Sequence, residues 1–197
     1  MKSKLIIILF ALSSCTAVAK IIYGAKNPKP RSSDYIQKYA NRYQLNHFKQ
    51  YSISETGFIN FFEISKELSI RNSINHVIIF NREGQLIQPY DTISCSSDIN
   101  NFIQSYNDSD KNRINDTINF SDVFGDSITN LENKNLYYSP QDNKPLIVLT
   151  WASFVGRLNK INTKVWADSV QKIVKSGDVN AIFLNFDIRE NWDLNKK

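Results

Sequence analysis

The chain has 197 residues, 42 % of them apolar and 12 % aromatic. That is the size and composition of one globular domain with a proper core, and it excludes disorder, which needs low hydrophobicity with high net charge. Lys and Arg number 24 against 19 Asp and Glu, a formal charge of +5 to which Lys2 and Lys4 contribute two.

So small an excess, without a basic run, argues against nucleic acid as a partner. Only 2 Cys and 2 His are present, too few for a disulfide scaffold or a multi-ligand metal site, and no cofactor motif stands out.

Residues 1–4 are a short positive segment and residues 5–12 an apolar run, the pattern of a secretory signal peptide. The run is well short of the roughly 20 apolar residues that cross a bilayer as a helix. Leu12-Ser13-Ser14-Cys15 resembles a bacterial lipobox, an aliphatic residue and two small ones before a cysteine. The resemblance implies a lipoprotein signal peptide over residues 1–14, a diacylglycerol on the Cys15 thiol, palmitate-type acylation of the new N-terminus, and a tether over residues 15–20. Ala17-Val18-Ala19 leaves an alternative open, cleavage before Lys20 at an ordinary small-x-small site. A lipobox predicts a membrane-anchored envelope protein. Residues 16–19 lack an acidic cluster of the kind associated with surface export, so the expected place is the outer membrane, facing the periplasm. With Cys15 acylated, Cys95 is the remaining thiol, and it reads as a small half-buried residue.

Residues 20–23 read as a short strand that Gly24, Pro28 and Pro30 terminate. Ser32 and Ser33 can cap a helix with Tyr35/Ile36, Tyr39/Ala40 and Tyr43 at helical spacing. That tyrosine stripe could be a binding face, but an aromatic stripe at helical spacing is usually core. Residues 48–53 predict a strand, and Phe58, Phe61, Phe62, Ser65 and Leu68 an amphipathic helix. His76 to Phe80 and Gln85 to Ile87 make a hairpin, with Gly84 supplying the positive φ of its turn. Ser97 and Asp98 open a helix to Tyr106. Residues 107–144 are rich in Asn, Asp and Ser, with anchors at Phe120, Phe124, Ile128 and Leu131. They predict a partly helical connection rather than a second core. Residues 146–151 are a continuous apolar run of the buried-strand kind. A helix follows from Leu158 to Ile173, ended by Gly177, and then a buried strand from Val179 to Phe186. Strands alternating with helices predict an α/β domain with a mixed sheet flanked by helices, a single unit over residues 21–197.

Two stretches resemble the thioredoxin-like superfamily. Residues 21–106 read β-α-β-α-β-β-α, and Asn75-His76-Val77-Ile78-Ile79-Phe80-Asn81-Arg82-Glu83-Gly84 is similar to the family's third strand and turn. Residues 144–158, Lys144-Pro145 through Gly156-Arg157-Leu158, are similar to its first strand and active-site loop, and residues 145–187 suit that alignment as a whole. Either residues 21–106 form a complete copy with an additional C-terminal βαβ unit, or the tail supplies the opening elements of a rearranged one. The whole chain also resembles the small, Asn-, Ile- and Lys-rich lipoproteins of Bacteroidota-type bacteria.

The family's redox chemistry needs an attacking thiolate at a helix N-terminus and a second, resolving thiol. Val155 and Leu158 stand where the thiols would be, Gly24 to Asn27 in the other alignment, and Asn75 where the family has its cis-proline. Dithiol exchange is therefore not expected. A binding loop at Val155, Gly156 and Arg157 is, through amides at a helix start and one charged donor. Asp108 to Asn112 resembles a calcium-loop opening, but Arg113 replaces the turn Gly and Asn119 the closing Glu. Four Asp-Ser/Thr-apolar triplets, at Asp91, Asp116, Asp126 and Asp168, resemble O-glycosylation sequons. Three functional readings stand: a non-catalytic lipoprotein binding a protein or peptide partner, a lipid-anchored immunity protein against a toxin, and an enzyme with an unrecognised site.

Overall fold

The computed structural model describes residues 22, 24–67, 74–88, 113–125, 127–131 and 143–192. Helix α1 (Ser33–Arg42) starts where a polar cap meets an apolar period: the Ser32 hydroxyl accepts from the Tyr35 amide at 3.3 Å, and Ile36 and Ala40 turn inward. Strand β1 (Lys49–Ile53) leads through Ser54 into α2 (Glu55–Glu67). The hairpin joins β2 (Val77–Phe80) to β3 (Gln85–Gln88). Gly84 sits at φ 82°, which explains its place in the turn. The Asn81 side chain braces the same turn by accepting from the Gln85 amide at 2.7 Å and donating to the Gln85 side chain at 2.7 Å.

Residues 107–144 depart from expectation. Their described part forms β4 (Arg113–Asn119), α3 (Phe120–Phe124) and β5 (Ile128–Asn130). Asn119, in the calcium-loop reading a failed ligand, is the N-cap of α3, and its amide donates to Asp122 Oδ2 at 2.7 Å. The anchors seen in the sequence are real: Phe120, Phe124, Ile128 and Leu131 are all buried. What pattern reading missed is that β4 and β5 are edge strands, paired on one side only, so their apolar alternation is diluted by polar residues.

Strand β6 (Leu146–Trp151), a short 3₁₀ turn (Ser153–Val155), a π turn (Asn159–Thr163), helix α4 (Lys164–Val174) and strand β7 (Asn180–Asn185) complete the described chain. The seven strands form one mixed sheet in the order β4-β3-β2-β6-β7-β1-β5. β6, β7 and β1 run parallel, and antiparallel β2 and β5 flank them. The βαβ of the tail is thus the centre of the sheet and not an additional unit at its end. It lies between β2 and β1, where a complete copy in residues 21–106 would need its own first strand. Ile22 is helical and exposed rather than part of a strand, and the rest of residues 20–23 lie outside the described residues.

The period-2 alternation of buried strands splits the core in two. Ile147, Leu149 and Trp151 face α1 and α4, with Ile36, Ala40, Trp166 and Val170 packed on them. Leu146 and Val148 face α2 and α3, with Phe61, Phe120 and Phe124. The result is three layers, helices on both faces of the sheet. Trp151, with no exposed surface, donates through Nε1 to Gln50 Oε1 at 3.2 Å. Among the described residues no helix is long and apolar enough to cross a membrane.

Candidate functional site

In open α/β sheets, ligands favour the crevice at the carboxyl ends of parallel strands. Here that edge is built from the segments leaving β6, β7 and β1. Buried Asp187, just past β7, accepts from the Ser153 amide at 2.8 Å, the Ser153 hydroxyl at 2.7 Å and Asn185 Nδ2 at 2.8 Å. This clamps the start of the β6–α4 loop to the end of β7. Asn159 clamps its far side, donating to the carbonyls of Ala152 at 2.8 Å and Gly156 at 3.2 Å. Asn75 completes the lock with 3.1 Å to Asn159 Oδ1 and 2.7 Å to Thr163 Oγ1. Asp187, Asn159 and Asn75 therefore hold the loop, Asn75 standing where the resemblance places a cis-proline, and no peptide bond of the described residues is cis.

The segment expected to bind forms a tight turn. Val155 closes the 3₁₀ turn, Gly156 is buried at φ 64°, and Arg157 is exposed. The amides of Val155, Gly156, Asn159, Lys160 and Ile161 donate to carbonyls within the loop itself. They are engaged, so of the expected loop donors Arg157 is the one carried on a side chain.

Beside the loop runs a feature only half legible in the sequence. The entering segment passes along it, and the Lys26 amide donates to the Phe154 carbonyl at 2.7 Å. That brings Lys26 to the tyrosine stripe of α1. Ile36 and Ala40 fill the core, Tyr39 and Tyr43 pack against its edge, and all three tyrosines are half-buried. Tyr35 and Tyr39 stack with ring centres 4.6 Å apart, and Tyr39 and Tyr43 are 5.8 Å apart. Cations frame the ladder: the Arg31 guanidinium lies 4.1 Å above the Tyr35 ring and Arg42 5.7 Å from Tyr39. Desolvation and the hydrogen bond that Tyr35 donates to Tyr39 push the Tyr35 phenol up to about 12. Tyr39, accepting that bond and one from Lys26 with Arg42 near, is held below the usual phenol value. Desolvation raises Tyr43, against the pull of Arg42 and Arg157. Arg157 thus lies within electrostatic reach of Tyr43 at the end of the ladder. The spacing of Arg31 and Arg42 from the tyrosines, four and three residues, was the available signal for the ladder's cations.

At the end of the ladder, Arg31, Ser33, Arg189 and Glu190 line a shallow depression of about 260 Å³. Its floor is fixed, since Arg189 donates to Ser33 Oγ and, at 3.3 Å, to Ser52 Oγ. Cys15, Cys95, Asp91 and Asp108 to Asn112 lie outside the described residues. Ser169 of the Asp168 triplet is buried, with its hydroxyl on the Val165 carbonyl at 3.2 Å, which closes it to a glycan. His47 pairs with Asp168 at 3.0 Å, while His76 contributes backbone contacts to Thr150. Among the described residues, no group of three or more His, Cys, Asp or Glu could hold a metal ion.

The arrangement can seat an anionic group against aromatic rings. It offers half-buried aromatic side chains and four cationic side chains, Lys26 and Arg31 from the entering segment, Arg42 from α1 and Arg157 from the β6–α4 loop. No protein-family model, curated protein or solved structure matches this chain.

Proposed function

We propose that this is a non-catalytic, lipid-anchored protein of the cell envelope whose α/β domain binds an acidic protein or peptide segment. The cationic tyrosine ladder carries the reading. Lys26 and Arg31 of the entering segment, Arg42 of α1 and Arg157 of the clamped loop surround Tyr35, Tyr39 and Tyr43. Aromatic and Arg side chains are the groups that dominate protein recognition, because they offer large contact area with charge-assisted donors.

The strand order supports a finer assignment, a rearranged thioredoxin-like domain. The run β7-β6-β2-β3 is a parallel βαβ flanked by an antiparallel hairpin. That is the order expected of a thioredoxin-like sheet when the tail supplies the opening elements. The loop after β6 would then be the counterpart of the family's active-site loop, recruited for binding without sulfur.

The test is quantitative co-purification of the tagged full-length protein from envelope fractions. Arg157→Glu should deplete the partner at least about tenfold, as expected for reversing a charge that meets an acidic group, and Arg157→Lys should retain most of it. Equal recovery by wild type and Arg157→Glu would remove the ladder and loop from the contact.

A further inference from the structure

We propose that the outer face of the α1/α4 layer rests on an anionic phospholipid surface, with the ladder opening at its margin. The observation is a division of charge across the sheet. The segments that form the layer, residues 24–47 and 153–178, hold ten Lys or Arg and three Asp. The layer on the other side, residues 54–67 and 120–125, holds one Lys and four Asp or Glu. Four of the ten, Lys26, Arg31, Arg42 and Arg157, frame the ladder; the other six exceed the three Asp, so among the described residues the α1/α4 layer is positive and the α2/α3 layer negative.

The positive face is also built to meet an interface. Buried Trp166, Ala167 and Val170 take one side of α4. At spacings of three and four residues, Ile161, Lys164, Val165, Asp168 and Lys172 follow the other side. Ile161 is 53 % and Val165 40 % exposed, an apolar pair one turn apart between lysines. Lys164 is paired with Asp168 at 2.6 Å, which leaves Lys160 and Lys172 as the cations beside the apolar pair. Such a set suits a headgroup layer, where long basic side chains reach phosphates and short apolar ones enter the acyl boundary. The proposed acidic segment meets the ladder at the margin, whereas on the outer face of α4 the exposed Ile161 and Val165 between lysines favour a headgroup layer. The entering chain reaches the sheet edge at the loop that opens α4, where the Lys26 amide donates to the Phe154 carbonyl, and its Lys26 side chain bonds Tyr39 of α1. A lipid on Cys15, eleven residues earlier in the chain, would hold this face toward the bilayer. The inference goes beyond the partner-binding reading, and the face does not need the lipid to be attractive to anionic headgroups.

The experiment uses the full chain purified in detergent and reconstituted with vesicles of phosphatidylglycerol or of phosphatidylcholine. In a Cys95→Ser background, an environment-sensitive dye is placed at Ile161→Cys or, on the opposite layer, at Glu63→Cys. With phosphatidylglycerol, the dye at 161 should lose access to a water-soluble quencher severalfold, and the dye at 63 should keep it. Neutral vesicles, high salt, or Lys160→Glu with Lys172→Glu should restore quenching at 161, because the attraction is screened or reversed. Co-sedimentation with both vesicles while 161 stays quenched would overturn the docking and leave the anchor standing. Protection on phosphatidylglycerol without sedimentation on neutral vesicles would uphold the docking and remove the anchor. No sedimentation on either would overturn both. Protection that is equal on neutral vesicles and rises with protein density would mean that a second copy covers the face, which also overturns the proposal.

Discussion

Trp151 shows how much one residue holds. It ends β6 with no exposed surface, packs among the α1/α4 side of the core, and satisfies Gln50 through its indole N–H. Trp151→Ala removes a large ring and leaves a buried amide oxygen without its donor. The expected cost is about 3–5 kcal/mol, a large part of an ordinary domain stability of about 5–15 kcal/mol. A variant that melts like the wild type would contradict the packing. His76 carries a pH signature. Burial pushes its imidazole below the usual 6.5, so the folded state disfavours a proton that the unfolded chain accepts. Stability is then full above the unfolded value and falls as pH drops through it toward the lower folded value. Melting temperatures measured from about pH 7.5 to about pH 5.5 should fall more steeply for wild type than for His76→Gln. Parallel profiles would show that His76 is as well solvated in the fold as in the unfolded chain.

At the level of elements, the contact between α2 and the turn before β5 gives the sharpest prediction. A Cβ on Gly57 would collide with the Ser127 Cβ and lie 3.0 Å from Ile53 Cγ1. Gly→Ala inside a helix ordinarily stabilises by up to about 1 kcal/mol, but overpacking costs about 1–3 kcal/mol, so the collision wins. Gly57→Ala should lower the denaturation midpoint, and Ser127→Gly in the same chain should recover part of it. Independent, additive effects would refute the close approach. This contact was invisible in the sequence, because it joins a helix to a segment 70 residues later. The elements themselves were largely legible. The Leu146–Trp151 run, the Ser32 cap and the Gly84 turn each announce themselves through local chemistry. What was not legible is pairing. β4 and β5 are short on apolar alternation because each is bonded on one side only, and the central position of β6 and β7 is decided by contacts across most of the chain. The candidate site divides the same way: Arg157 and the tyrosine stripe could be read directly, whereas the Asp187 and Asn159 clamps that fix the loop could not.

At the scale of the molecule, the described residues on one side of the sheet are basic and those on the other acidic. The basic layer carries the ladder, the clamped β6–α4 loop and the entering chain. Its working surface should therefore be on this side, with the α2/α3 layer turned away. Site-specific photo-crosslinking in living cells compares the two layers directly. One photoreactive residue replaces Tyr39 on the ladder, and a second, in a separate strain, replaces Ile59, which is 46 % exposed on α2. A discrete protein adduct from position 39 that weakens with Arg157→Glu, and none from position 59, is the result expected of a partner held at the ladder. An adduct from position 59 alone, or from neither position, would contradict it.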